Sequence, residues 1–91
     1  MPPPVFQVGM VILAAIEVPA RLVTKKGGYK RIGLPLGTYE ITEIVGNEVL
    51  HPSGDYSARY AYRLQALETA SPLSGHRISI WQEDLETACL G

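Results

Sequence analysis

The clearest alternation of apolar and polar side chains runs through RYAYRLQAL, residues 59–67. In an extended chain it places Tyr60, Tyr62 and Leu64 on one side and small or polar residues on the other. A half-buried antiparallel strand has this pattern, because one side packs on a core while the other faces water. We therefore predict such a strand here.

The segment RISIWQEDLE, residues 77–86, begins with the same alternation and then becomes acidic. Ile78 and Ile80 share one side of a predicted strand, which leaves Trp81 on the outward side at its end. The residues after Trp81 have low strand propensity. We predict one helical turn there, with Leu85 folding back onto the core as an apolar plug.

Glycine and proline divide the rest of the chain into short segments rich in Val, Ile, Tyr and Thr, which is typical of many short strands. ARLVT and YKRIG flank the motif KKGG at 25–28 and predict a hairpin, because two adjacent glycines can both take positive φ. In TYEITEIVGNEV the alternation slips, and a bulge near Glu43 would restore it. HPSGD at 51–55 predicts a turn.

The most apolar run of the chain, VGMVILAAI at 8–16, is stopped by Glu17 and Pro19. It has about half the length that a membrane-spanning helix needs. A signal peptide carries lysine or arginine before its apolar run, and here no such residue precedes it. We predict a buried strand instead, with Pro19 barring its continuation in a central position of a sheet.

The chain has 91 residues, of which 46% are hydrophobic and 19% charged. That is enough for one folded domain, which we expect to span residues 1–91 with a flexible tail at 1–5. We predict an all-β fold, a small five-stranded barrel with a short C-terminal helical turn, because closing the sheet removes exposed edges. The single cysteine, Cys89, excludes an internal disulfide and favours a cytoplasmic location.

This pattern resembles the SH3-like barrels of small bacterial proteins and of proteins encoded by phages and other mobile elements. The resemblance is carried by FQVGMV at 6–11, GTYEI at 37–41, YRL at 62–64 and IWQEDLE at 80–86. Such barrels commonly close with a strand that runs into an acidic turn. The resemblance implies a fold, and that fold hosts unrelated functions.

One catalytic group with this fold is the type II dihydrofolate reductases, tetrameric barrels that bind folate and NADPH in a shared central pore. Their pore carries a Val-Gln-Ile-Tyr motif, followed shortly by Leu-Glu. The equivalent segment here is ISIW at 78–81, with Leu85 and Glu86 after it. Ser79 and Trp81 replace the glutamine and the tyrosine. The resemblance implies, as one alternative function, an oligomeric barrel that binds a small molecule.

The aromatic residues near the end of the chain admit two interpretations. Tyrosines at alternate positions of one strand face a core in many proteins, with their hydroxyls reaching water. Exposed beside Trp81, they would instead form an aromatic surface that holds a partner. Our first prediction is a non-catalytic module that binds a protein partner, or a second copy in a homodimer, through Trp81, Tyr60, Tyr62 and Tyr39.

The predicted hairpin holds five cationic residues and one aromatic: Arg21, Lys25, Lys26, Tyr29, Lys30 and Arg31. As an alternative function, it would bind a nucleic acid, with the cations on phosphates and Tyr29 stacked on a base. Against this, the isoelectric point is about 6.1, and lysines also protect strand edges from aggregation. The KKGG motif lacks the flanking glycine and the Lys-Ser/Thr pair of a phosphate-binding P-loop.

No nucleophile, base and acid stand at spacings that indicate catalysis. His51 and His76 lie in polar turns, and together with Cys89 they lack the spacing of a zinc site. The acidic residues of 83–86 share one predicted exposed turn, where carboxylates are ordinarily solvated. We therefore expect no catalytic activity, no metal, no cofactor and no membrane association.

Overall fold

A computed structural model describes residues 4–50 and 56–89, except for the side chains of 47–50 and 56–58. Within this part the chain forms six strands and one helix. In chain order they are β1 (Val11–Ala14), β2 (Pro19–Val23), β3 (Tyr29–Gly33), β4 (Gly37–Leu50), β5 (Tyr56–Ala66), β6 (Ile78–Trp81) and α1 (Gln82–Ala88).

The strands form one antiparallel sheet in the order β1-β4-β5-β6-β2-β3. The fold is thus all-β with one short C-terminal helix, as predicted. The described residues contain six strands, one in each of the six segments identified above, rather than the five of the predicted barrel. Strands β1 and β3 stand at the two ends of the hydrogen-bonded order, so closure into a barrel is not confirmed.

The core lies on one side of this sheet. It includes Tyr39 and Ile41 of β4, Tyr62 and Leu64 of β5, and Ile78 and Ile80 of β6. These residues alternate with outward-facing ones, as the predicted strands require. From α1, Leu85 packs into the same core and is fully buried, which confirms the predicted plug. The helix is longer than the single turn we predicted and continues to Ala88.

The N-terminal segment is attached to the start of α1. The Phe6 ring packs edge-on against the Tyr62 ring, with 5.3 Å between centroids and 87° between planes. The Tyr62 hydroxyl accepts a hydrogen bond from the Phe6 backbone N–H at 3.3 Å and donates one to Gln82 Oε1 at 2.7 Å. The Val5 backbone N–H also donates to Gln82. Residues 1–3 of the expected tail at 1–5 lie outside the described residues.

Two local predictions are confirmed. The β2–β3 hairpin closes at the KKGG motif, where Gly27 has φ +82°, a conformation that L side chains rarely adopt. The Thr24 backbone N–H donates to the Gly28 carbonyl at 2.9 Å across this turn. In β4 the register shifts between Ile41 and Glu43, which is the predicted bulge. The turn predicted at 51–55 lies outside the described residues.

The prediction of a buried strand at 8–16 is wrong in part: a strand forms there, but it is shorter and buried on one side only. Strand β1 covers only Val11–Ala14, and Val11 and Leu13 are 58% and 62% exposed. The physical reason is that β1 is an edge strand of a sheet with one covered side, so only every second residue, such as Ile12, reaches the core. Among the described residues, no helix has the length and apolar character to cross a membrane.

Candidate functional site

The side of the sheet opposite the core carries the arginines of the chain. Strand alternation and register put Arg59 and Arg63 of β5 there, and Arg21 and Arg31 of β2 and β3, while Arg77 immediately precedes β6. Two aromatic residues, Trp81 and Tyr29, lie on the same side. We call this surface the arginine face; its residues are Arg21, Arg31, Arg59, Arg63, Arg77, Trp81 and Tyr29.

Three of these arginines form a line across four strands. Arg63 of β5 stands opposite Ser79 of β6, Ser79 opposite Arg21 of β2, and Arg21 opposite Arg31 of β3. Neighbouring strands are about 4.8 Å apart, so this arginine row, Arg63-Arg21-Arg31, spans about 14 Å of sheet. Like charges directly opposite each other in a sheet repel, as Arg21 and Arg31 do here. An anion bound between them would relieve that repulsion.

Guanidinium groups stack on both aromatic rings. The Arg21 guanidinium carbon lies 4.6 Å from the Trp81 ring centroid and 4.7 Å from that of Tyr29. That of Arg59 lies 3.9 Å from Trp81, and that of Arg63 lies 5.9 Å from Tyr29. A stacked guanidinium uses its flat face for the ring and keeps its N–H groups, which lie in the guanidinium plane, available for carboxylates or phosphates.

This stacked layer covers the strand residues beneath it. Ser79 faces outward yet is only 2% exposed, because Arg21 Nη2 donates to its Oγ at 3.0 Å. Ala61, opposite Trp81 in the register, is likewise buried. The Arg21 Nε atom is buried without an acceptor in the structure. Two elements hold the Trp81 backbone in place, because Trp81 is the last residue of β6 and immediately precedes α1.

Three carboxylates of the described residues lie beside the arginine face: Glu43, Glu83 and Asp84. The described part of the chain forms one ion pair, between Arg59 Nε and Glu83 Oε1 at 3.4 Å, and both side chains are well exposed. Glu43 stands opposite Arg63 in the register without forming an ion pair. Within the described residues, the arginine row therefore forms no ion pair, although Glu43 and Asp84 lie near it.

Two concave sites flank the arginine row. A groove of about 370 Å³, the Trp81 groove, is lined by Pro19, Ala20, Arg21, Arg31, Ile32, Ile80, Trp81 and Asp84. A second cavity of about 360 Å³ lies on the β4–β5 side of the face and is lined by Thr42, Glu43, Arg63, Leu64, Gln65, Ala66, Gly75, His76 and Arg77. Ligand sites typically have volumes in this range or somewhat above it.

The predicted aromatic surface is wrong in part. Tyr39 and Tyr62 are 1% and 0% exposed and lie in the core, on the other side of the sheet from Trp81. Tyr60 lies on the same side of β5 as Tyr62 and packs against the core while partly exposed. The physical reason is the parity of the strands, because the tyrosines share the core side with the isoleucines of β6. Trp81 lies outward, as predicted, and is partly buried by its arginine neighbours.

The basic hairpin is divided by the structure. Arg21, Tyr29 and Arg31 belong to the arginine face, and Tyr29 is 53% exposed. Lys30 stands opposite Leu22 and points to the other side of the hairpin. Lys25 and Lys26 are exposed in the turn, away from the row.

Sequence reasoning missed the arginines of β5 and the one preceding β6. Arg59 and Arg63 alternate with the tyrosines of RYAYR, so they lie on the side away from the core. Arg77 has the parity of Trp81 in RISIW. This parity could have been read from the sequence. The strand order β5-β6-β2, which brings these arginines together, could not.

Three titratable groups of the described residues have a raised pKa. Burial raises the pKa of the Tyr39 and Tyr62 hydroxyls above their ordinary value, and burial likewise raises the pKa of the Cys89 thiol, which disfavours the thiolate. His76 is exposed, and His51 lies outside the described residues. In the described ranges, no three His, Cys, Asp or Glu side chains are arranged to hold a metal ion.

Comparison of the chain with protein-family models, curated protein sequences and solved structures found no match.

Proposed function

We propose that this protein is a non-catalytic binding module and that its ligand is a single-stranded nucleic acid lying along the arginine face. The observation that carries the proposal is the arginine row, three guanidiniums in register across four strands without ion-paired carboxylates, flanked by Trp81 and Tyr29. Arginine forks fit phosphate oxygens in a bidentate geometry.

The aromatic residues favour a single strand over a duplex. Bases in a duplex are stacked on each other, whereas unpaired bases can stack on an exposed aromatic ring or on a guanidinium plane. Tyr29 is 53% exposed and offers such a surface beside Arg21 and Arg63. The combination of a positively charged track with aromatic platforms is the general arrangement of proteins that bind single strands.

Titration with oligonucleotides tests the proposal directly. Trp81 is the only tryptophan of the chain, so its fluorescence reports on the arginine face. We expect a short single-stranded oligonucleotide to change this fluorescence, with an affinity that falls as salt rises, and a duplex of the same length to bind more weakly. An unchanged signal and unchanged sedimentation at low salt would overturn the proposal.

A protein partner is the second candidate, and the Trp81 and arginine side chains of the arginine face favour it. Tryptophan and arginine are the residue types that most often dominate protein interfaces. The partner that suits this face is an extended acidic segment, because carboxylates also match guanidinium forks. An oligoglutamate peptide serves as the competitor in the titration. If the peptide binds more tightly than an oligonucleotide of equal charge, the ligand is a protein.

Three further expectations stay proposals. Likeness to an SH3-like barrel is supported by the all-β fold and the helix after β6, and an experimental structure of the whole chain tests it. A cytoplasmic location is supported by the single cysteine. A folate-binding or NADPH-binding pore has the least support. Ile80 is fully buried and the Ser79 hydroxyl accepts a hydrogen bond from Arg21, so neither side chain is open to a ligand. Binding of either ligand by the purified protein would revive it.

A further inference from the structure

The Trp81 groove holds one acidic side chain among basic and aromatic ones. Its charged lining consists of Arg21 and Arg31 from the hairpin and Asp84 from α1, and Trp81 also lines it. Asp84 is partly buried and forms no ion pair or hydrogen bond within the described residues. Its carboxylate is therefore free to accept hydrogen bonds from a ligand.

We propose that the Trp81 groove is a subsite for one nucleotide and that Asp84 selects a base that carries an exocyclic amino group. This inference rests on the proposed function and gives it a base preference. An ionised carboxylate only accepts hydrogen bonds. Cytosine presents an N–H₂ donor on its base-pairing edge, whereas thymine and uracil present a carbonyl oxygen at the same position. A carboxylate binds the donor and repels the carbonyl.

The other residues of the groove supply the rest of the nucleotide's contacts. Arg21 and Arg31 stand opposite each other in the lining of the groove and suit the phosphate. The apolar side chains of Pro19, Ile32 and Trp81 give the base a dry wall. The volume of about 370 Å³ falls within the range of small-ligand sites. Only Asp84 among these contacts distinguishes one base from another.

A simpler role for Asp84 is to offset the charge of the two arginines. The two roles differ in what they predict for a ratio of affinities. If Asp84 only offsets charge, its neutralisation strengthens binding of every oligonucleotide equally and leaves the ratio between two of them unchanged. If Asp84 selects the base, its neutralisation reduces the preference itself.

The test compares oligodeoxycytidylate with oligodeoxyuridylate of the same length, whose bases differ by an amino group against a carbonyl. Affinities are measured by Trp81 fluorescence and by anisotropy of labelled oligonucleotides. We expect the wild-type protein to prefer the cytidylate about tenfold, as one charge-assisted base contact would give. Asp84→Asn should bring the ratio close to one, because an amide both donates and accepts.

Glu86→Gln is the matched control, since it removes one negative charge from the same helix and Glu86 does not line the groove. It should leave the ratio at its wild-type value. Equal binding of the two oligonucleotides by the wild type overturns the subsite and leaves the proposed function standing. Failure to bind either one overturns the proposed function. A ratio that changes equally in both variants also refutes the role of Asp84.

Discussion

Arg31→Gln, compared with Lys30→Gln, tests whether binding depends on the arginine row or on charge in general. The two residues are adjacent in β3, and each substitution removes one positive charge. They differ in direction, because Arg31 stands opposite Arg21 on the arginine face, whereas Lys30 stands opposite Leu22 on the other side of the hairpin. Both side chains are exposed, so neither change should alter folding by more than about 0.5 kcal/mol.

The expected magnitude follows from counterion release. Each phosphate that a protein neutralises on a single strand adds about −0.7 to the slope of log K against log salt concentration. The arginine row holds three guanidiniums, which predicts a slope of about −2 from the row alone. Arg31→Gln should make the slope shallower by about 0.7, while Lys30→Gln should leave it within error of the wild-type slope.

The assay is a fluorescence titration of each variant with one oligonucleotide at four or more salt concentrations, after circular dichroism has shown that both variants are folded. Equal changes of slope in the two variants would mean that binding follows net charge, and the arginine row would lose its role. An unchanged slope in both would place the phosphates elsewhere on the protein.

Further predictions concern stability. Tyr62→Phe leaves the buried Phe6 N–H without its acceptor and should lower the free energy of unfolding by about 1–3 kcal/mol, while the exposed Tyr29→Phe should change it by less than about 0.5 kcal/mol, both measured by urea denaturation. Leu85→Ala should cost about 2–5 kcal/mol in the same assay, because it empties a fully buried position. Burial raises the pKa of Tyr39 and Tyr62 above the value of 10.0 expected in the unfolded chain, so the unfolded state loses these protons first. Their contribution to stability should be complete below pH 10 and be lost as the pH rises through the folded-state pKa; a melting temperature that does not fall in this range would contradict it.

The local alternation of apolar and polar residues predicted much of the fold. Alternation in RYAYRLQAL and RISIW correctly identified two strands and the core side of each, since parity is a property of the extended chain itself. Alternation could not predict that the strand within 8–16 lies at the edge of the sheet. Its apolar residues suit a central strand as well as an edge, and the pairing of β1 with β4 alone depends on contacts with distant residues.

The site was predicted in separate pieces for the same reason. Trp81 and the basic hairpin were two competing candidates, because 50 residues separate Arg31 from Trp81 in the chain. The pairing of β6 with β2 brings them together and puts Arg21 in contact with the Trp81 ring. The predicted site used the tyrosines of β5, which lie on its core side, whereas the neighbouring Arg59 and Arg63 belong to the arginine face.

The net charge of −1 does not by itself argue against a polyanionic ligand, because part of the acidic charge lies away from the arginine row. Glu40 and Glu68 lie by β4, where they accept hydrogen bonds from Gln65 Nε2 and Thr38 Oγ1, whereas Glu83, Asp84 and Glu86 lie on α1. The arginine row lies on β5, β2 and β3, with β6 between. At physiological salt the Debye length is about 8 Å, so a phosphate at Arg21 senses its neighbouring arginines strongly and the far end of the sheet weakly. Binding should thus follow the local charge of the arginine face, and added salt should weaken it even though the whole protein is slightly acidic.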